Sequence, residues 1–409
     1  MLDKRLFATV IVVYILVACG ADLLNPALPD LQRHFALSVR ETSWVLNTNF
    51  AGFCVATIVA GMLGDRIDKR TLIVGGLVLF VVGSLLALSA PSFGMLLLGR
   101  FMQGVGAAFP AVLGFVLLVE SSPSSMHTEL SGVLASTVSV AACLAPVGGS
   151  LIAGAWGWRA NFGALLGVAA CAICLASLFL PTSPGNVPRT ESSSSYRPIV
   201  TSGQWWFLTT IVSLLRGNYL AFASFSSILF IGELGADVRA FGFYQGALAV
   251  TFALSSAGCG RIVGALGARR AVTISLAAMP VASGLMLLYV VATAVPRAIV
   301  VTLFMVAVSA FAVFPLNVLN TMSLSVVPEA RSRASAASNV VKFCVTGVLV
   351  WCFALPTGQK ATCIAALLFA SYLICLCMFL AAPRGVFVLP DNAAESQDTK
   401  SSNMSQAAG

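Results

Sequence analysis

Twelve runs of predominantly apolar residues, each long enough to cross a lipid bilayer as a helix, dominate this sequence of 409 residues. A crossing helix needs ~20 such residues because the hydrocarbon core of a bilayer is ~30 Å thick. Hydrophobic residues make up 58% of the chain and charged residues 9%. Soluble domains carry roughly 25% charged residues, so a water-soluble fold is excluded. The predicted spans cover residues 6–24, 44–63, 71–90, 95–119, 130–155, 162–180, 205–231, 241–259, 271–295, 298–326, 334–355 and 361–381.

The distribution of positive charge predicts the orientation of these spans. An even number of crossings places both termini on the same side of the membrane. The predicted loops on that side carry more than twice as many Lys and Arg residues as the opposite loops, which is the bias of cytoplasmic loops. We therefore expect a multi-pass protein of the cell inner membrane with both termini in the cytoplasm. The net charge of +8 follows from this bias, and no nucleic-acid partner is expected.

The chain divides into two halves of six spans each. A loop rich in Ser and Pro at 181–204 predicts a flexible cytoplasmic linker between residues 1–180 and 205–382, and the polar tail 383–409 is expected to be disordered. Phe109-Pro110 precedes Pro123 by the same interval that separates Phe314-Pro315 from Pro328. Such a repeat predicts two pseudo-symmetric bundles, which many secondary transporters place on either side of a central cavity.

Four ionisable residues lie inside the predicted spans: Asp22, Arg100, Arg216 and Lys342. A charge within the bilayer is costly and is therefore a candidate functional residue. Asp22, together with Arg100, is predicted to couple transport to protons. The alternative is a structural ion pair, for example between Asp22 and Arg100 or Lys342. The predicted substrate cavity is lined by Asn25, Asn47, Gln103, Arg216, Asn218 and Lys342.

Catalysis has little support in the sequence. The two histidines, His34 and His127, fall in predicted loops on opposite sides of the membrane, so they cannot build one catalytic or metal site. The eleven cysteines all lie in apolar stretches, where thiols behave as small hydrophobic groups. No phosphate-binding loop for ATP is present. We expect a transporter without cofactor or metal rather than an enzyme. A membrane enzyme or a receptor without transport is the remaining alternative.

Three motifs carry a family resemblance. The stretch 61–70, GMLGDRIDKR, resembles the signature loop of the major facilitator superfamily, and Arg100 opens RFMQGVGAA, which is similar to its fourth-helix motif. The third stretch, APVGG with Pro146, Gly148 and Gly149, resembles the fifth-helix motif of the antiporters in that superfamily, although Ala145 stands where they have Gly. The resemblance implies an all-α membrane protein with the major facilitator fold, twelve transmembrane helices in two six-helix bundles.

The signature loop is expected to act as an inner gate. Its residues Gly61, Asp65, Arg66, Lys69 and Arg70 stand at a helix junction where charged groups can form strong hydrogen bonds and meet helix ends. A solvated turn is the simpler alternative. Asp68 replaces the usual Gly of the family, and because Asp tolerates a left-handed backbone better than most residues, we expect the turn to be kept.

A motif in the first span resembles one particular group within the superfamily. Asp22 to Pro29, DLLNPALP, is similar to the first-helix motif of the bicyclomycin-resistance-like drug/proton antiporters. The resemblance implies proton-coupled export of small amphipathic molecules or drugs by alternating access, with Asp22 and Arg100 as coupling residues and a monomer as the working unit. The alternative is an exporter or importer of an anionic metabolite such as a carboxylate siderophore, since Arg216 and Lys342 outnumber the one embedded acid.

Overall fold

The computed structural model describes residues 4–64, 66–123, 127–182, 197–293, 295–326, 331–355 and 359–382. All regular elements in these residues are helices. The first half comprises α1 (Lys4–Asp22), a 3-10 turn (Asn25–Ala27), α2 (Leu28–His34), α3 (Val39–Leu63), α4 (Lys69–Leu88), α5 (Phe93–Glu120), α6 (His127–Trp156) and α7 (Trp158–Phe179). The second half comprises α8 (Arg197–Val200), α9 (Gly203–Ser227) with a π-helical extension (Ile228–Glu233), α10 (Val238–Leu266), α11 (Ala268–Ala292), α12 (Ala298–Ser325), α13 (Arg331–Ala354) and α14 (Lys360–Ala381).

The predicted crossings agree with these helices. Eleven helices or helix runs in the described part of the chain are long and apolar enough to span a bilayer. The remaining long helix, α6, contains the shorter apolar stretch Val140–Trp156. The all-helical fold expected from the sequence is therefore confirmed.

Helix starts follow from local sequence. Ser38 and Glu41 form a capping box at α3, in which each side chain accepts a hydrogen bond from the other residue's backbone N–H. Ser92, Ser202 and Asp237 cap α5, α9 and α10 by accepting backbone N–H bonds. These side chains satisfy N–H groups that a helix leaves unpaired in its first turn.

The two halves repeat one packing scheme. In the first half α1 packs against α5, α6 and α7, while α4 packs against α5 and α7. The corresponding helices of the second half do the same, with α9 against α12, α13 and α14, and α11 against α12 and α14. Helices α5 and α12 are both 28 residues long and carry Pro110 and Pro315 at the same distance from their starts. The repeat seen in the sequence is thus a structural repeat.

The halves meet through two helix pairs, α6 with α10 and α3 with α13. We call the end of the molecule that holds Lys4 and Ala381 the terminal end, and the opposite end the far end. At the far end the fully buried 3-10 turn packs against both α6 and α9. One apolar cluster there joins residues of both halves, including Leu24, Leu28 and Phe225.

At the terminal end the described residues form separate apolar clusters. The core around Leu6, Leu117 and Ala176 contains first-half residues alone. Residues of α10 near its end, such as Arg261 and Leu266, are exposed. The two halves thus share an apolar core at the far end, whereas the first-half core is separate towards the termini. We call the space between the halves on the side of the termini the cleft.

The predicted linker lies largely outside the described residues, at 183–196, as does the predicted tail from residue 383. The last part of the linker is helical, because α8 buries Ile199 completely against Trp205 and Ala334. This segment is therefore anchored to the second half.

Candidate functional site

Asp22 is the last residue of α1, where the helix gives way to the 3-10 turn that begins at Asn25. Pro26 cannot donate a backbone hydrogen bond, so it favours a break in the helix at this point. The Asp22 carboxylate is partly exposed and accepts a hydrogen bond of 3.3 Å from Asn25 Nδ2. The break thus leaves an acidic side chain at the cleft within the apolar span.

Arg100 on α5 is completely buried in the first half. Its guanidinium donates to the carbonyl oxygens of Val45 (3.2 Å) and Gly20 (3.1 Å) and to Gln103 Oε1 (2.9 Å). Gln103 in turn donates to Ser84 Oγ at 2.8 Å. Arg100 therefore ties α1, α3 and α5 together, and Gln103 extends this network to α4.

Arg216 lies midway along α9 and is exposed, although its neighbours on both sides are buried. Within the described residues its guanidinium makes no hydrogen bond or ion pair. Lys342 on α13 is partly buried, and its Nζ donates to Asn320 Oδ1 at 2.7 Å. The second half thus presents two basic groups within its spans, and Arg216 has no polar partner in the described part of the chain.

These charges act on one another across the cleft. Asp22 interacts electrostatically with both Arg216 and Arg100, and Arg216 interacts with Lys342. No ion pair within 4.0 Å joins Asp22 to a basic group among the described residues. We call Asp22, Arg216 and Lys342 the cleft charges. The acid belongs to the first half and both bases belong to the second.

Of the other predicted cavity residues, Asn25 alone hydrogen-bonds to a cleft charge among the described residues, through its contact with Asp22. Gln103 is completely buried within the first half, and Asn218 is completely buried between α9 and α14, where its Nδ2 donates to Ser371 Oγ. Asn25 is buried in the far-end 3-10 turn. Asn47 is partly buried where α3 meets α13, 3.9 Å from the position that a Cβ atom would take at Gly347. Periodicity alone could not distinguish these packed amides from cavity residues, since all of them interrupt apolar helices.

The signature loop forms contacts within the first half. Lys69 Nζ pairs with Glu120 Oε2 at 3.1 Å, and Arg70 donates to the Ser177 carbonyl oxygen near the end of α7. Arg66 and Gly61 are exposed, and Asp65 lies outside the described residues. The loop therefore braces α4 against the ends of α5 and α7.

Asp68 differs from the expectation of a left-handed turn. Its φ is −51°, and its carboxylate accepts a hydrogen bond from Thr71 N at 2.9 Å. The position therefore needs no glycine-like backbone, because the aspartate serves as the N-cap of α4.

The antiporter-like motif packs against the end of α1. Pro146 is inside α6, and a Cβ atom at Gly149 would overlap the carbonyl oxygen of Leu23. Gly148 has more room, with Leu23 Cδ1 at 3.9 Å from a Cβ atom. Close helix contact is the use that small residues commonly serve in membranes. The motif thus fixes the backbone next to Asp22.

Sequence reasoning predicted Asn47 but missed the aromatic and thiol residues of the α3–α13 contact. The tilted rings of Phe53 and Phe343 contact each other with centroids 4.9 Å apart, and the thiols of Cys54 and Cys344 are close enough to interact electrostatically. Asn320 was missed as well, although an amide in an apolar span was a usable signal. The aromatic and thiol groups gave no signal, since apolar residues on a span are expected to face lipid or neighbours alike.

A separate cavity of about 660 Å³ lies at the far-end contact between the halves. Gln32 and Arg33 of α2 line it from one side, and Glu233 and Lys360 from the other. Glu233 Oε2 accepts a hydrogen bond from Ala361 N at the start of α14. The cavity lies beyond the closed end of the cleft and does not contain the cleft charges.

Comparison with known proteins identifies the family of this chain. The sequence model described as Major Facilitator Superfamily matches residues 10–350. The multidrug resistance protein MdtL of Citrobacter koseri is 25% identical over 59% of this chain and 62% of its own length. The multidrug resistance protein Stp of Mycobacterium tuberculosis is 27% identical over 52% of this chain and 39% of its own length. The chain thus matches less than two thirds of the length of either relative.

Solved structures show the same fold. A crystal structure of a D-xylose-proton symporter superimposes with a TM-score of 0.78 at 15% identity, covering 94% of this chain and 98% of the symporter. An inward-facing, unoccupied bacterial homologue of the human lysosomal transporter Spinster gives a TM-score of 0.73 at 15% identity, covering 94% of this chain and 97% of the homologue. The solved structures thus share the fold of this chain, and the matched family shows that the chain, a multi-pass membrane protein, belongs to the Major Facilitator Superfamily, a family of transporters and not of enzymes.

Proposed function

We propose that the protein exports small amphipathic molecules or drugs in exchange for protons, by alternating access of the cleft to the two sides of the membrane. The observation that carries the proposal is the position of Asp22, a carboxylate at the cleft within an otherwise apolar span. A proton and a substrate that compete for one carboxylate are transported in opposite directions. The multidrug-resistance names of MdtL and Stp support a drug-like substrate.

The proposed orientation places the protein in the cell inner membrane, with both termini in the cytoplasm and a single chain as the working unit. In that orientation the present cleft is open to the cytoplasm and closed to the outside. Export then requires the far-end contacts around the 3-10 turn to separate while the terminal ends come together. Arg100 supports Asp22 by holding the carbonyl oxygen of Gly20 on the same helix.

The experiment uses energised everted membrane vesicles that contain the full chain, with a fluorescent dye that reports the pH gradient. Adding tetraphenylphosphonium or ethidium is expected to release part of the gradient when the compound is exchanged for protons. Asp22→Asn should abolish this release, whereas the matched variant Asp30→Asn, at a partly exposed residue of α2, should keep it. Unchanged exchange in Asp22→Asn would remove Asp22 from the coupling mechanism.

A second candidate function is transport, in either direction, of an anionic metabolite such as a carboxylate siderophore. The observation that favours it is the presence of two basic groups, Arg216 and Lys342, against one acid in the cleft. Transport of carboxylates should then require both bases. If the double variant Arg216→Gln/Lys342→Gln still transports carboxylates at the normal rate, this candidate is excluded.

A further inference from the structure

Four charged residues lie within the membrane spans, but only three of them are accessible to a substrate. Arg100 is completely buried, and its guanidinium is occupied by two backbone carbonyl oxygens and by Gln103. A buried cation whose donors are already paired gains little from a ligand and loses its partners if it moves. The groups that can meet a substrate are therefore the cleft charges Asp22, Arg216 and Lys342.

Asp22 has one hydrogen bond from a side chain, donated by Asn25. The charged and titratable groups that act on it are Arg216 on α9, Arg100 on α5 and Cys19 on its own helix. A carboxylate oxygen accepts up to two hydrogen bonds, so Asp22 retains capacity for a donor from the cleft. A cationic donor such as an ammonium group binds a carboxylate more strongly than a neutral donor does.

Arg216 and Lys342 complement this acid from the other half. They carry like charges and interact unfavourably with each other, and among the described residues neither forms an ion pair with a carboxylate. The Arg216 guanidinium has no hydrogen-bond acceptor in the described part of the chain, while Lys342 has only the neutral oxygen of Asn320. Two such cations are relieved by an anion placed between them.

From this arrangement we infer that the transported molecule is dipolar, with a cationic group that binds Asp22 and an anionic group that binds Arg216 and Lys342. The inference rests on the proposed transport function and adds the class of substrate. It follows from the separation of charge between the halves: the first half contributes the acid and the second half both bases, each side chain is at least partly exposed, and no ion pair within 4.0 Å joins Asp22 to either base among the described residues.

A dipolar substrate also satisfies the mechanics of transport. Its two ends bind different halves, so the bound molecule draws the halves together, which alternating access requires. Its cationic end competes with a proton for Asp22, so binding to the protonated protein releases a proton. The anionic end contributes affinity and no proton release from Asp22. A dipolar substrate is therefore compatible with proton antiport, and it assigns Arg216 and Lys342 the function of binding the anionic end.

The test is a set of four peptides with the same apolar group. Tryptophylglycine carries both charges, its amide carries only the cation, its N-acetyl derivative carries only the anion, and the N-acetyl amide carries neither. Binding to the purified full chain in nanodiscs is measured by calorimetry in two buffers with different ionisation heats, which gives both affinity and proton release. We expect the dipolar peptide to bind most tightly, roughly tenfold or more above either singly charged peptide.

Variants assign each charge to its end. Asp22→Asn should remove the advantage of a free amino group and the proton release, while retaining the advantage of a free carboxylate. Arg216→Gln/Lys342→Gln should remove the advantage of a free carboxylate, while retaining the advantage of a free amino group and the proton release. Controls of the same charge change are Asp30→Asn, at a partly exposed residue that pairs with Arg33, and the double variant Arg40→Gln/Arg297→Gln at two exposed positions. Both should bind all four peptides as the native chain does. Circular dichroism and thermal unfolding confirm that each variant is folded.

Three outcomes would overturn the inference. Equal affinity for all four peptides would show that the cleft charges do not contact the substrate. Tightest binding of the anion with no effect of Asp22→Asn would favour the anionic-metabolite candidate. Tightest binding of the cation, unchanged in Arg216→Gln/Lys342→Gln, would leave proton-coupled drug export in place with a purely cationic substrate. The proposed antiport is tested separately by the vesicle experiment, in which unchanged proton exchange in Asp22→Asn would contradict it. Failure of the dipolar-substrate inference and failure of the antiport proposal therefore give different results.

Discussion

The Arg100 guanidinium donates a hydrogen bond of 3.1 Å to the carbonyl oxygen of Gly20, on the helix that ends at Asp22. Arg100 also reaches the backbone of α3 at Val45, so one buried cation connects the Asp22 helix to its neighbours. This contact supports a positioning function for Arg100, because its donors face backbone oxygens rather than the open cleft. Arg100 thereby holds in place the end of α1 that carries Asp22.

Replacing Arg100 should therefore destabilise the first half. Arg100→Gln removes the hydrogen bonds that the guanidinium donates to the Gly20 and Val45 carbonyl oxygens, each worth roughly 1.5–3 kcal/mol because the donor is charged. Arg100→Lys keeps the charge and should still fail, since an ammonium group lacks the planar fork that reaches several acceptors. Thermal unfolding of the purified variants measures the effect, with Arg40→Gln on the exposed start of α3 as the control. Native-like unfolding of Arg100→Lys would contradict this view.

Gly149 should resist substitution because of the close approach of α6 to the end of α1. The Cβ atom of Gly149→Ala would overlap the Leu23 carbonyl oxygen, so the helices must separate next to Asp22. We expect a lower unfolding temperature and weaker proton exchange in vesicles. Gly167→Ala on α7 is the control, since its Cβ atom meets nothing within 4 Å and Ala favours a helix by ~1 kcal/mol. Equal behaviour of the two variants would exclude a packing function for Gly149.

The cysteine pair at the contact of α3 and α13 should allow the cleft to be locked. In a chain that retains only Cys54 and Cys344, oxidation by copper phenanthroline should form a disulfide, because the two thiols are neighbours when the far end is closed. Transport should stop and should return on reduction. The single-cysteine variant with Cys54→Ser should be insensitive to the oxidant. Full transport by the crosslinked protein would show that these helices do not separate during the cycle.

Asp68 should contribute to stability as a helix cap. Asp68→Ala removes the acceptor for Thr71 N and should cost about 1 kcal/mol of unfolding free energy. Asp68→Asn and Asp68→Gly should cost only a few tenths, since both residues are good N-caps. The ranking is measured by thermal unfolding in detergent. A larger loss for Gly than for Ala would contradict a capping function.

The sequence by itself determined the membrane fold and its division into repeats. Lipid offers no hydrogen-bond partners, so long apolar runs must become helices, and their number follows from counting. The sequence also identified Asp22, Arg100, Arg216 and Lys342, because a charged residue within an apolar span is costly and can be recognised whichever face of the helix it occupies. The matching prolines of α5 and α12 were visible for a similar reason, because proline interrupts an otherwise uniform helix.

Only the tertiary structure decided which of these polar residues meet at the cleft. Arg100, Gln103 and Asn218 interrupt their spans just as Arg216 and Lys342 do, yet the first three are completely buried among helices of one half. The face that a residue presents depends on how its helix packs against helices far away in the chain, and a span that is apolar all round carries no periodic signal of that face. The placement of Asp22 on one half and of Arg216 and Lys342 on the other arises from this long-range packing, which local sequence does not encode.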